Sequence, residues 1–193
     1  MAHEFTPNIF AGDGIILSLF QKEDVEPLHK IIHRNKSHLA AWLRAVGNPS
    51  TLKEVHQYVK DNQKRSRDAL SESFRSHPGF ELAIRNDGEL VGMIGFQGIH
   101  WGNRLTALGY WIIPESEGRG IVTKACKAMV TYAFDTLHLN RIEIQCAEDN
   151  PASMGIPERL GFHKEAILAE VERRNEGYVS HYLYRMLRSD WQK

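Results

Sequence analysis

The sequence predicts an α+β fold, a mixed and mostly antiparallel central sheet with helices on both faces. Three observations carry that class. Residues 80 to 113 read as three short strands joined by tight turns, which makes an antiparallel meander. Residues 105 to 147 read as strand, glycine turn, long helix and strand, and such a β-α-β crossover adds a further strand to the sheet. Segments of helical period lie both before the meander and after it. With 193 residues the chain is expected to hold one domain, residues 1 to 193, with ample material for a core.

The elements follow in order. Residues 14 to 20 (Gly-Ile-Ile-Leu-Ser-Leu-Phe) read as a first strand. Residues 23 to 35 carry Val25, Leu28, Ile31 and Ile32 at helical spacing. A short helix with Leu39, Trp42 and Leu43 follows, and Asn48-Pro49-Ser50 breaks the chain. Thr51 with Glu54 three residues on is a capping box, opening a helix through Val55 and Val59 to Leu70. His77-Pro78-Gly79 is the next breaker. Residues 80 to 85 alternate as a strand, Asn86-Asp87-Gly88 turns, and residues 90 to 97 return. Trp101-Gly102-Asn103 turns again into a third strand, residues 105 to 113. A long helix carries Ile121, Ala125, Met129, Ala133 and Leu137 on one stripe. Residues 141 to 147 alternate as a strand, Asn150 opens a short helix, Gly161 ends it, and strands at about 162 to 172 and 177 to 188 close the chain.

Composition narrows the function classes. Hydrophobic residues at 42% and charged residues at 25% describe a globular chain, not a disordered one. Lys+Arg 24 balances Asp+Glu 24, so no electrostatic argument favours nucleic acid or an anionic membrane. Cys126 and Cys146 both lie in apolar contexts at a spacing that does not suggest zinc, and two buried thiols fit a reducing compartment. No apolar h-region or long apolar run is present, so a cytoplasmic location is expected. His29 and His33 share a helix face, but without a third ligand they read as surface histidines.

The most informative segment runs from Gly109 to Ala125. An apolar strand stops at Pro114, a turn with Gly118 and Gly120 follows, and a helix starts at once. Glycines let a ligand approach the backbone, and the free N–H groups of a helix start attract phosphate. Two common phosphate motifs fail. Thr123-Lys124 has the wrong order and spacing for a P-loop, and Thr123 stands where a dinucleotide fingerprint needs glycine.

The segment Glu117-Gly118-Arg119-Gly120-Ile121-Val122 resembles instead the pyrophosphate loop of the Gcn5-related N-acetyltransferase (GNAT) superfamily. Its pattern there is Gln/Arg-x-x-Gly-x-Gly/Ala, from which Glu117 and Val122 depart. Gly-Tyr-Trp before the loop, Thr-Lys-Ala after it, Asn150-Pro151-x-Ser153 and Glu158-Arg159-Leu160-Gly161-Phe162 extend the resemblance to residues 8 to 190. Together they are similar to the RimJ/RimL-type branch, which acetylates α-amino groups of ribosomal proteins.

That resemblance implies a GNAT fold with a V-shaped split between the strand ending near Pro114 and the strand starting near Arg141. It implies acetyl-CoA (coenzyme A) as cofactor, with the pantetheine arm pairing to the exposed strand. Main-chain groups of Ile112 and Ile113 would hold that arm and the thioester carbonyl. Glu117, Gly118, Arg119, Gly120, Ile121, Val122 and Thr123 would cradle the pyrophosphate, Thr123 adding a hydroxyl. Asn150, which also reads as a helix cap before Pro151, would contact the arm. Ser153 would protonate the departing thiolate. The tyrosine that many members use as acid is replaced by Pro157, and Ala107 and Leu108 stand where many carry an acidic residue. The RimL-like proteins carry an acidic residue near the incoming amine at the position of Glu172, so the resemblance makes Glu172 the candidate for handling the amine proton, with Glu170 on the same face if the segment is extended. Tyr110 and Trp111 would face opposite sides of their strand. Trp42, Trp101 and Tyr178 are candidates for the acceptor groove.

The acceptor stays open between a protein α-amino terminus and a small amine such as a polyamine, an aminoglycoside or an amino-acid-like compound. A non-catalytic CoA-binding sensor is the third reading. A homodimer or higher homo-oligomer through the C-terminal strands is an expectation taken from the family.

Overall fold

A computed structural model describes residues 7–36, 38–39, 51–69, 76–174 and 177–191. Among them eight strands form one sheet in the order β1-β2-β3-β4-β5-β6-β8-β7. The strands are β1 (Asn8–Gly12), β2 (Ile15–Ser18), β3 (His77–Asn86), β4 (Glu89–His100), β5 (Leu105–Ile112), β6 (Arg141–Ala147), β7 (His163–Arg174) and β8 (Gly177–Leu187). Helices are α1 (Val25–Arg34), α2 (Leu52–Asp68), α3 (Ile121–Asp135), α4 (Pro151–Arg159) and α5 (Arg188–Trp191). Every strand pair is antiparallel except β5–β6, which the α3 crossover makes parallel.

The sheet separates two cores. On one face Phe80, Phe96, Ile144 and Tyr184 pack with Ile121, Ala125, Met129 and Ala133 of α3. On the other, Phe20, Ala83, Met93 and Trp111 pack with Val25 and Leu28 of α1 and Val55 and Val59 of α2. The apolar stripes read on α1 and α3 thus face opposite cores, with Ile31 and Ile32 of α1 partly buried. Fully burying one such side chain contributes about 1.5–3 kcal/mol.

Local chemistry sets several boundaries. Thr51 Oγ1 accepts the Glu54 N–H at 3.2 Å and Glu54 accepts the Thr51 N–H at 2.9 Å, so the capping box opens α2 as expected. The expected first strand is a hairpin, because Asn8–Gly12 pairs with Ile15–Ser18; this five-residue strand, with exposed Asn8 and Phe10, lacks an apolar alternation to announce it. The expected breaker His77-Pro78-Gly79 lies inside β3. There Gly79, at φ +90°, pairs with Gln97, and a Cβ would fall 1.8 Å from the Phe96 carbonyl. Leu137 is buried but lies past the end of α3. Leu39 is buried, whereas Trp42, Leu43, Asn48-Pro49-Ser50 and Leu70 lie outside the described residues.

Both cysteines are buried and free, and burial pushes both thiols up. His29 and His33 stack at 6.2 Å, and no group of three or more His, Cys, Asp or Glu among the described residues could hold a metal. No helix among them is long and apolar enough to cross a membrane.

Candidate active site

The sheet opens where β5 and β6 part. These strands share only three register pairs, Leu105 with Arg141, Thr106 with Ile142 and Ala107 with Glu143. Beyond that point β5 stays with β4 through Ile112, and β6 stays with β8 through Ala147. Ile113 N–H donates to the Val91 carbonyl at 2.9 Å. Antiparallel alternation then turns the N–H and C=O groups of Ile112 and Tyr110 away from β4 and into the opening. Such groups need partners. A cavity of about 810 Å3 lies here, with Tyr110, Ile112, Gly118, Gly120, Asn150 and Ser153 in its wall. Ile113 has both main-chain groups engaged, since its carbonyl accepts the Ser116 N–H at 3.0 Å; Ile112 is the one that faces the cavity.

At the wide end, Gly118 (φ 69°) and Gly120 (φ 74°) carry the chain from a 3-10 turn, Pro114–Ser116, into α3. Gly120 is the helix cap and has no side chain to accept the first N–H groups, and the first turn holds no acidic residue. A Cβ at either glycine would meet nothing within 4 Å, so open space adjoins this run of donors. The unpaired N–H groups and the helix dipole favour an anion there. Thr123 Oγ1 accepts from Arg159 Nη2 at 3.2 Å, which brings a cation from the last turn of α4 to the cavity wall. Arg119 is exposed beside it, Ile121 and Val122 bury their side chains in the core, and Glu117 pairs with His38 at 3.1 Å. Arg159 was visible only as part of the Glu158-to-Phe162 motif and His38 not at all, because each is brought to the loop from another element.

Asn150 caps α4 by accepting the Ser153 N–H at 3.0 Å, with Pro151 at the first helical position. That cap places Ser153 in the cavity wall. Pro157, four residues on, has no N–H to give the Ser153 carbonyl. The Tyr110 hydroxyl donates to that carbonyl instead, at 3.1 Å, and lies 3.3 Å from Ser153 Oγ. Ser153 Oγ donates to Cys146 Sγ at 3.3 Å. Burial, then the two nearby cysteines, hold the Tyr110 pKa well above 10.0, so its proton stays in place. Trp111 faces the opposite core, as the strand alternation requires.

A second polar cluster lies on β7 and β8. Glu172 accepts from Arg174 Nε at 3.2 Å and Nη2 at 3.0 Å, and from His181 Nε2 at 2.9 Å. Arg174 Nη1 also donates to Asp149, a cavity-wall residue, at 2.6 Å. Burial alone would raise the Glu172 pKa, but Arg174 and His181 outweigh it and hold the carboxyl below its usual range. Glu170 does not continue the alternation. It sits at φ 50° in a bulge between Leu168 and Glu172, exposed. Trp101 packs against the first core and Tyr178 is 60% exposed; neither is in the cavity wall, and Trp42 is outside the described residues.

The GNAT acetyltransferase domain family matches residues 15–163. The chain belongs to this family. It is 33% identical to a putative ribosomal N-acetyltransferase, YdaF, of Bacillus subtilis (strain 168), over 94% of this chain and 95% of that one. A ribosomal-protein-serine acetyltransferase of Escherichia coli (strain K12) is 28% identical over 93% and 96%. The crystal structure of a probable acetyltransferase superposes with a TM-score of 0.84 at 32% identity, covering 97% of this chain and 99% of that one.

This GNAT protein is therefore an acetyl-CoA-dependent N-acetyltransferase, and its own geometry fits that cofactor. The glycine cradle with Arg159 suits a pyrophosphate, and the unpaired edge of β5 suits an amide-bearing arm. The thiol end of such an arm would meet Ser153 and Tyr110.

Proposed function

We propose that this enzyme acetylates the α-amino terminus of a protein, with ribosomal proteins as the acceptor class and the cytoplasm as its place of work. The observation that carries the reading is the extent of the likeness to the B. subtilis relative. It spans 94% of the chain, so the acceptor-side elements α1, α2, β7 and β8 share in it along with the cofactor half. The whole chain, residues 1 to 193, acts on this reading as one acetyltransferase domain. The outer strand β7 exposes Ile167 and Val171, with Tyr178 exposed on β8, and supports a homodimer through that edge.

Bound acetyl-CoA supplies the acetyl thioester. The protein's part is to hold, orient and move protons. Main-chain N–H groups of Gly118 to Thr123 and the Arg159 guanidinium would hold the pyrophosphate. Ile112 and Tyr110 would orient the arm through their outward main-chain groups, with Asn150 beside them. Proximity of two bound substrates contributes much of the rate. The ammonium loses two protons overall. One goes to solvent from the amine side, and one is balanced by protonation of the departing sulfur, which we assign to Ser153 with Tyr110 behind it. Glu172, held as a carboxylate, favours a cation on the β7–β8 side.

The test is acetyl-CoA-dependent thiol release with peptides bearing free Ser, Ala or Met termini, their N-blocked lysine-containing versions, spermidine and an aminoglycoside. Turnover confined to free-terminus peptides is the expected result. Turnover of the small amines alone places the enzyme in the small-molecule class. Acetyl-CoA binding with no turnover on any acceptor supports the sensor reading.

A further inference from the structure

We infer that His181 takes the proton from the incoming ammonium group and that Glu172 is its positioning partner. The inference rests on amine acetylation in this cleft and assigns the step that the sequence left to a glutamate.

Register decides which side of the sheet His181 occupies. Cys146 pairs with Tyr182, so these side chains share a face. That face is the α4 face, because Cys146 receives the Ser153 hydroxyl. Ala147 and its partner His181 therefore lie on the opposite face. On β5 the same alternation puts Tyr110 toward Ser153 and Trp111 toward α1 and α2. His181 thus stands on the α1–α2 face of the open arm of the split, past the last β5–β6 pair, while Ser153 stands on the other. His181 and Glu172 lie outside the cavity wall and are tied to it through Arg174 and Asp149, so an amine entering from the α1–α2 face would reach His181 through water on one side of the sheet. The sulfur would leave beside Ser153 and Tyr110 on the other. A base and an acid on opposite sides of one opening is the arrangement that the two proton movements require.

The hydrogen bonds fix which ring nitrogen is available. The Glu172 carboxylate can only accept, so Nε2 of His181 carries the hydrogen. In the neutral ring Nδ1 is then the bare nitrogen, and it is buried with no partner among the described residues. A buried lone pair without a donor is costly and calls for an explanation. The proton of an ammonium group, direct or through water, supplies one. Glu172 is the poorer acceptor, because both of its oxygens already accept from Arg174, and one accepts from His181 as well. Among the described residues, the charged groups joined to this cluster by hydrogen bonds are Glu172 and Arg174 from β7 and Glu148 and Asp149 from the turn after β6. Glu148 accepts the N–H of neighbouring Ser180 at 3.4 Å, and Arg174 bridges Glu172 to Asp149. The step balances simply. The ammonium N–H bond breaks, its proton bonds to Nδ1, the imidazolium rests against the Glu172 carboxylate, and the proton passes to water.

Two measurements on the full-length protein test the assignment. Nitrogen-15 NMR of the histidine rings, with His181→Gln to assign the signal, should show the Nε2–H tautomer. An Nδ1–H tautomer would overturn the inference, and this readout needs no acceptor. Kinetics use a Ser-terminal peptide and, separately, spermidine. His181→Gln should lower kcat about 10²- to 10⁴-fold, with the acetyl-CoA KM unchanged and partial rescue by free imidazole. Glu172→Gln should cost less, because the ring remains. If His181→Gln keeps kcat within about threefold while Glu172→Gln loses about a hundredfold, the carboxylate is the base and the inference is wrong. If wild type acetylates neither acceptor, the acceptor reading fails and the tautomer alone decides. Should His181→Gln lose its thermal stabilisation by acetyl-CoA, His181→Asn takes its place.

Discussion

Pro157 shows how one residue reshapes a site. It removes the N–H that would bond to the Ser153 carbonyl, and Tyr110 fills the vacancy from across the split at 3.1 Å. Tyr110→Phe should therefore destabilise the fold by about 1–3 kcal/mol in urea melts, the cost of an unpaired buried acceptor. It should also lower kcat without changing the acetyl-CoA KM, as should Ser153→Ala. Wild-type kcat should show no Tyr110 limb up to pH 10.0, because burial holds that pKa higher. Glu172 gives a second residue-scale test. Its folded pKa lies below the ordinary 4.5, so the carboxylate lends stability that is complete above that value and lost as pH falls through the lowered one. Glu172→Gln should flatten the acid side of the stability profile relative to wild type, read from urea midpoints. The Asn150 cap and Ser153 were legible in sequence because both follow from spacing within one turn. Tyr110's bond to Ser153 and His181's bond to Glu172 were not, since each joins residues on different elements.

At the scale of elements, the turn before α1 is tied to the sheet by a buried ion pair. Asp24 is 5% exposed, accepts the Gln21 N–H at 2.7 Å, and receives Arg85 Nη2 from β3 at 2.9 and 2.7 Å. Arg85→Met leaves that carboxylate without its cation. The expected loss is about 3–5 kcal/mol, measured by chemical unfolding. Helix α2 was readable from Thr51 and Glu54, and α3 from the Ile121 to Ala133 stripe, because period and caps are local. β1 was not, since Asn8–Gly12 becomes a strand only by pairing with β2. His77-Pro78-Gly79 misleads for a related reason. Proline and glycine usually stop strands, but here pairing with β4 carries β3 through them.

Across the whole molecule, function depends on a sheet that is left incomplete. Three parallel pairs join β5 to β6, and the remaining edge of β5 faces a cavity of about 810 Å3. A ligand that binds only the folded state at a hundred times its Kd adds about 2.7 kcal/mol, or roughly 5–10 °C in Tm for a chain of this size. Acetyl-CoA should give that shift by calorimetry. Gly120→Val, which forces a β-branched residue into φ 74°, should abolish most of it. The split was expected as an implication of the family resemblance carried by the loop and its flanks, but the faces of the sheet on which Ser153 and His181 lie emerged only from the register. The most direct measurement uses one peptide with a free N-terminal serine and an internal lysine, incubated with enzyme and acetyl-CoA and fragmented by mass spectrometry. Acetyl on the α-nitrogen alone is the expected result. Acetyl on the lysine Nζ, with the terminus left free, would contradict α-amino acetylation.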